Sequence, residues 1–168
     1  KNDFLIGTAI GTRTLMQPDT EMLDLIAREF NQVTSENAMK WSSIHPKEDV
    51  WKFEEADKLM EYAEKNKMAV QGHVLVWHSQ VPREIFTGPD GNQASKELLL
   101  KRMESHIHTV VGRYKGRIRS WDVVNESITP EDGYRKSKWL EICGPEFMEY
   151  AFRYAHEADP ECLLIYND

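Results

Sequence analysis

Short apolar runs alternate along this chain with longer stretches in which apolar residues recur every three or four positions. "DFLIGTAIG" (residues 3–11) reads as a strand and "PDTEMLDLIAREF" (18–30) as a helix. "NQVTSEN" (31–37) is the next strand and "FEEADKLMEYAEKNK" (53–67) the next helix. "MAVQGHVLVWH" (68–78) is a third strand. A long helix over "SKELLLKRMESHIHTVVGRYKG" (95–116) follows, with Leu99, Met103, Ile107 and Val110/Val111 on one face. "RIRSWDVVNE" (117–126), "GPEFMEYAFRYAHEAD" (144–159) and "CLLIYND" (162–168) complete the series as strand, helix and strand. Helix starts carry fitting signals: Asp19 after Pro18, Ser95 with Glu97 behind it, and Pro145 in a first turn. This alternation predicts βαβ units and a parallel sheet, an α/β fold. No Pro- or Ser-rich linker interrupts it, so residues 1–168 read as one domain.

Polar residues collect at the C-terminal ends of four strands: Ser35-Glu36-Asn37, Trp77-His78, Asn125-Glu126 and Asn167-Asp168. In α/β barrels the strand bodies pack a closed interior and the chemistry sits at the strand C-termini. A doubly wound sheet binds ligands at one switch point, usually with a Gly-rich phosphate turn. Neither G-x-G-x-x-G nor a P-loop occurs here. The pattern favours a (β/α)8 TIM barrel, which needs eight strands and typically about 250 residues. This chain of 168 residues offers five strands and four helices. The expectation is strands 1–5 and helices 1–4 of a single barrel domain that breaks off after strand 5, with sheet edges and apolar faces left open.

Composition narrows the function. Hydrophobic residues at 40% and charged residues at 29% suit a soluble globular protein, and no run approaches the ~20 apolar residues of a membrane helix. With 21 basic against 28 acidic residues and no basic run, a nucleic acid is a poor partner and a neutral ligand a better one. The N-terminus shows no signal-peptide pattern, which leaves the compartment open. Cys143 and Cys162 allow at most one bridge. His73 and His78 lie five apart on one strand, and His106 and His108 diverge on a helix. With no H-E-x-x-H and no paired C-x-x-C, neither a metal nor a cofactor is expected. A G-x-S-x-G elbow is absent too.

Six motifs stand in order along the chain: "GTA" (7–9), "TSENAMKW" (34–41), "FEEADKL" (53–59), "GHVLVWHSQVP" (72–82), "WDVVNE" (121–126) and "LLIYND" (163–168). Together they resemble the family 10 glycoside hydrolases, retaining endo-β-1,4-xylanases, over the whole chain. The resemblance implies that Glu126 is the general acid/base. It implies sugar contacts from Glu36, Asn37, Lys40, His73, Trp77 and Asn125, with xylan or xylo-oligosaccharide as the substrate. It also implies a nucleophile Glu after a seventh strand, so that a C-terminal half of the barrel, from the same gene product or a second chain, or self-association, would complete the fold. A secreted location fits the family, with an intracellular one left open. Val74 and Val81 stand where Thr is usual, and Ser127 where Ala is commoner.

The chemistry of the residues agrees. Retaining cleavage takes two carboxyl groups ~5–5.5 Å apart, one a nucleophile and one an acid then base. The acid needs surroundings that favour its protonated form, through burial or a second carboxylate. Asn125 offers an amide to a sugar 2-hydroxyl, Lys40, His73 and Glu36 offer donors and an acceptor, and Trp77 offers an apolar face. Each residue has a plainer reading. Glu126 would suit the first turn of a helix, Glu36-Asn37 would suit a cap, His73 a satisfied core position and Trp77 the barrel core. Trp121, Trp139, Trp41 and Trp51 read as packing. Two functions stand against each other: the acid/base half of a xylanase, and a half-barrel module that binds or assembles without turnover.

Overall fold

The computed structural model describes residues 3–131 and 133–168. Five strands, β1 (Gly7–Ile10), β2 (Gln32–Ser35), β3 (Ala69–Trp77), β4 (Ser120–Asn125) and β5 (Leu163–Asn167), form one parallel sheet. Their spatial order is their chain order. A doubly wound sheet would reverse direction at a switch point, and this one does not. The main helices are α1 (Thr20–Glu29), α2 (Glu54–Lys65), α3 (Lys96–Arg113) and α4 (Phe147–Ala158).

Local chemistry sets the boundaries. Asp19 caps α1 by accepting from the Met22 amide at 3.1 Å, and Ser95 caps α3 by accepting from Leu98 at 3.2 Å. Pro145 stands ahead of the α4 cap, Glu146, and not in the first turn as expected. Gly144 turns the chain there at φ +72°. The predicted face of α3 is the buried one, from Leu99 through Val111.

The strands are shorter than the apolar runs suggested. Phe4, Leu5 and Ile6 lie ahead of β1 and are exposed, Phe4 at 69%. Among the described residues little covers that segment, and Asn31 holds it through Ile6 N–H (2.7 Å) and the Phe4 carbonyl (3.0 Å). The connections hold elements that periodicity does not reveal. These are helices at Thr12–Met16, Trp41–Ile44 and Lys138–Cys143, a 3₁₀ turn at Arg83–Phe86, and a hairpin of Ile128–Thr129 with Gly133–Tyr134. Each is under two turns or two residues per strand, too short to show a period.

The core lies between sheet and helices, around Leu59, Met60, Met103, Ile107 and Phe147. Where β3 pairs with β4, Gly72 lies opposite Trp121. A Cβ at Gly72 would stand 2.2 Å from the Trp121 ring, so only glycine lets that indole pack at 1% exposure. Trp41 and Trp139 are also buried, as expected of packing residues. Trp51 joins a row of near-parallel rings running Phe53, Trp51, His45, His106, Trp41. Among the described residues β1 pairs only with β2 and β5 only with β4, so both outer edges are open.

Candidate active site

The sheet brings the predicted residues together at the C-terminal ends of β2, β3 and β4, except His73, which lies in the middle of β3. The chain leaves β4 through Glu126 at φ +51°, a left-handed conformation that few non-glycine residues adopt. Two contacts hold it there: Glu126 N–H donates to the Asn167 carbonyl at 2.9 Å, and Arg135 Nε donates to the Glu126 carbonyl at 2.5 Å. No helix begins at Glu126; the chain enters the hairpin instead, so the carboxylate is not a helix first-turn residue. Its Oε2 accepts from the Trp77 indole at 3.1 Å and lies 3.9 Å from His78 Nε2. The Glu126 side chain is 40% exposed, more open than its apolar strand suggested. Burial, helped by Arg135, holds the His78 imidazole below its ordinary range, while Glu126 pulls the other way. Ser127 is buried and its hydroxyl donates to the Asn125 carbonyl at 3.4 Å.

Asn125 is buried, its amide 2.7 Å from that of Asn167 and 3.1 Å from Trp77 Nε1. After β2, Asn37 Oδ1 accepts from Lys40 Nζ and Gln80 Nε2, both at 3.2 Å. It therefore caps no helix; Lys40 precedes the Trp41–Ile44 turn without a side-chain cap. Lys40 Nζ stands 4.9 Å above the Trp77 ring, tying the two loops together. Glu36 is exposed, and Gly11 leaves it room, since a Cβ there would stand 2.8 Å from its Oε2.

His73 is both satisfied and near the site. Its Nδ1 meets Asp122 Oδ2 at 2.8 Å. Gln71 donates to the other Asp122 oxygen at 2.8 Å and accepts from Gln32 at 3.3 Å. A hydrogen-bonded row thus crosses β2, β3 and β4. Sequence reasoning missed Asp122 and Gln71, although polar residues at alternate positions of an apolar strand signal a shared face. It also missed Gln80 and Arg135, which follow strand ends and carry no periodic signal, and it placed His78 at a strand end without giving it a part in the site.

Beside Glu126 opens a cleft of about 710 Å³, walled by the loop after β3 and the segment after the hairpin. Between the helices, Glu104 and His108 of α3 and Glu157 of α4 gather ligand atoms within 4.8 Å, a grouping that spacing within one helix could not show. His108 already faces Glu157 at 3.5 Å. Cys143 and Cys162 do not pair, and burial pushes both thiols up to about 11.

The profile of glycosyl hydrolase family 10 matches residues 1–168. Endo-1,4-beta-xylanase A of Xylanibacter ruminicola is 47% identical over 98% of this chain, and endo-1,4-beta-xylanase B of Paenibacillus barcinonensis 46% over 99%. The chain spans 45% and 50% of their lengths. Among solved structures, an endoxylanase retrieved from a sugarcane-soil metagenome superposes with a TM-score of 0.96 at 52% identity, over 99% of this chain and 49% of its own. Xylanase 10B of Thermotoga petrophila, solved with xylobiose, gives 0.91 at 46%, over 99% of this chain and 50% of its own. The five-stranded sheet and its helices are the N-terminal half of a (β/α)8 barrel.

Proposed function

Because this chain belongs to glycosyl hydrolase family 10, we propose that residues 1–168 form part of one catalytic domain, that of a retaining endo-1,4-β-xylanase, with Glu126 as its general acid/base. The observation that carries the reading is the setting of Glu126. Its backbone is held left-handed at the end of β4, and the Trp77 indole at the end of β3 donates to one carboxylate oxygen at 3.1 Å. In the first step Glu126 gives its proton to the glycosidic oxygen as the C1–O bond breaks and a second carboxylate bonds to C1. In the second step Glu126 takes a proton from the water that attacks C1, and the nucleophile leaves as a carboxylate.

That nucleophile comes, in this reading, from a strand of the C-terminal half. Asn125, Glu36, Asn37, Lys40 and His73 hold hydroxyls of xylan or a xylo-oligosaccharide. The cross-links Lys40–Asn37–Gln80 support it, because they fix these groups before a sugar arrives. Trp77 offers the ring face that Lys40 leaves free.

The test is Glu126→Gln in the completed barrel. Xylan hydrolysis should fall by about 10²–10⁴-fold, whereas glycosyl-enzyme formation from a substrate with an already acidic leaving group should fall far less. Equal loss on both substrates would remove Glu126 from the acid's role. A second reading, a half-barrel that assembles without turnover, draws on the open edges, where Leu163 of β5 is 56% exposed.

A further inference from the structure

Outside the candidate active site, α3 and α4 bring three metal-ligating side chains together. Glu104 and His108 stand four residues apart on α3, so they share one face of the helix. Glu157 comes from the last turn of α4. One ligand atom from each, two carboxylate oxygens and an imidazole nitrogen, lies within 4.8 Å of the other two. α4 carries the chain back from the end of β4, where Glu126 stands, to the start of the parallel strand β5. Glu157 therefore lies at the opposite end of that unit from the candidate active site.

The protein does not balance the charge there. Among the described residues neither Glu104 nor Glu157 pairs with a lysine or arginine. Lys96, Arg102 and Arg113 of α3 are each paired elsewhere, with Glu146, Glu48 and Asp57. Arg153 of α4 turns to Tyr150, its guanidinium 4.5 Å over that ring. Within the cluster His108 Nε2 lies 3.5 Å from Glu157 Oε2. A proton on His108 would answer one carboxylate and leave the other. Glu157 also stands at a helix C-terminus, where the aligned peptide dipoles disfavour an anion and favour a cation.

The geometry suits an ion as well. Ligands about 2.0–2.2 Å from a tetrahedral zinc stand roughly 3.3–3.6 Å from one another, and the 3.5 Å between His108 and Glu157 is already of that size. Glu104 closes the rest by turning a flexible side chain. Tyr154 packs its ring edge-on to His108 at 5.9 Å and 85°, which sets the plane of the imidazole. α3 is anchored by Met103, Ile107 and Val110 and α4 by Ala151 and Ala155, so both backbones are held before an ion arrives. The His108 and Glu157 side chains are 40% and 49% exposed, which gives the ion an entry path and leaves a position for water. An imidazole among the ligands favours zinc over magnesium or calcium, which take oxygen.

We propose that Glu104, His108 and Glu157 bind one zinc ion that straps α3 to α4, a structural site separate from the sugar chemistry. The expectation of no metal rests on pairs within single elements, and this set needs two helices.

The completed barrel, stripped with EDTA and moved into chelator-free buffer at pH 7.5, tests it by calorimetric titration with zinc chloride and by thermal unfolding. The parent should bind one zinc ion more than His108→Ala or Glu157→Gln. Either substitution should weaken that ion by more than the roughly 10–100-fold that loss of an outer partner costs. Excess zinc should raise the parent's Tm by roughly 3–5 °C more than that of either variant, and calcium should not. Without zinc the variants should unfold close to the parent, which separates loss of the ion from loss of the fold. Equal zinc binding by the parent and both variants overturns the proposal. So does a shift of the same size with calcium, or zinc binding that leaves the Tm in place.

Discussion

His45 and His106 face each other through Nδ1 atoms 3.2 Å apart, and His106 is fully buried in the ring row. The contact holds one proton, so one imidazole donates and the other accepts, and burial disfavours a charge on either ring. His106 Nε2 has no partner, which is cheapest if it is the bare nitrogen and His106 donates from Nδ1. Burial, then His45, drives the His106 imidazole well below its ordinary range. Burial lowers His45 as well, opposed by Asp49 and Glu48, while Lys101 and Arg102 line the same groove. In the unfolded chain both protonate near pH 6.5. Stability is therefore whole above that pH and is lost as pH falls below it, at about 1.4 kcal/mol per pH unit for His106 alone. Urea unfolding at pH 7.5 and 5.5 should show this slope, and His106→Phe, which keeps a stacked ring, should remove about one proton from it. An unchanged slope in the variant would mean that the pair is not what titrates.

At the scale of elements, β3 and β4 fit only because Gly72 has no side chain. Gly72→Ala drives a methyl into the Trp121 ring, which is 1% exposed and walled by the core. Overpacking of this kind typically costs about 1–3 kcal/mol. Chemical denaturation should show that loss, and an alanine variant as stable as the parent would mean the strands can part without cost. The five strands and four main helices were legible in the sequence because each repeats a period long enough to read. The short helices after β1, β2 and β3 were not, being under two turns long and so repeating no position on a face. Glu126, Asn37 and Lys40 were legible as motif residues. Their partners were not: Gln80 and Asp122 act through residues far away in sequence, and no spacing along one element announces a contact between two.

For the molecule as a whole, the open edges set the behaviour. Purified alone, this chain should show no xylanase activity above background and should self-associate, because β1, β5 and the apolar segment at Phe4–Ile6 lack cover. Mixed with a polypeptide carrying the remaining strands, it should give a closed species in native electrophoresis and gain activity. Robust hydrolysis by the lone chain, abolished by Glu126→Ala, would mean that a carboxylate within these residues serves as nucleophile. The strand order carries a further consequence for synthesis on the ribosome. Each strand after the first joins a neighbour that has already emerged, so the sheet can grow in the direction of translation without waiting for later sequence. In a closed barrel only β1 must wait, for the last strand to be made. The seam beside β1 is then the final part of the barrel to form and the one most exposed to chaperones.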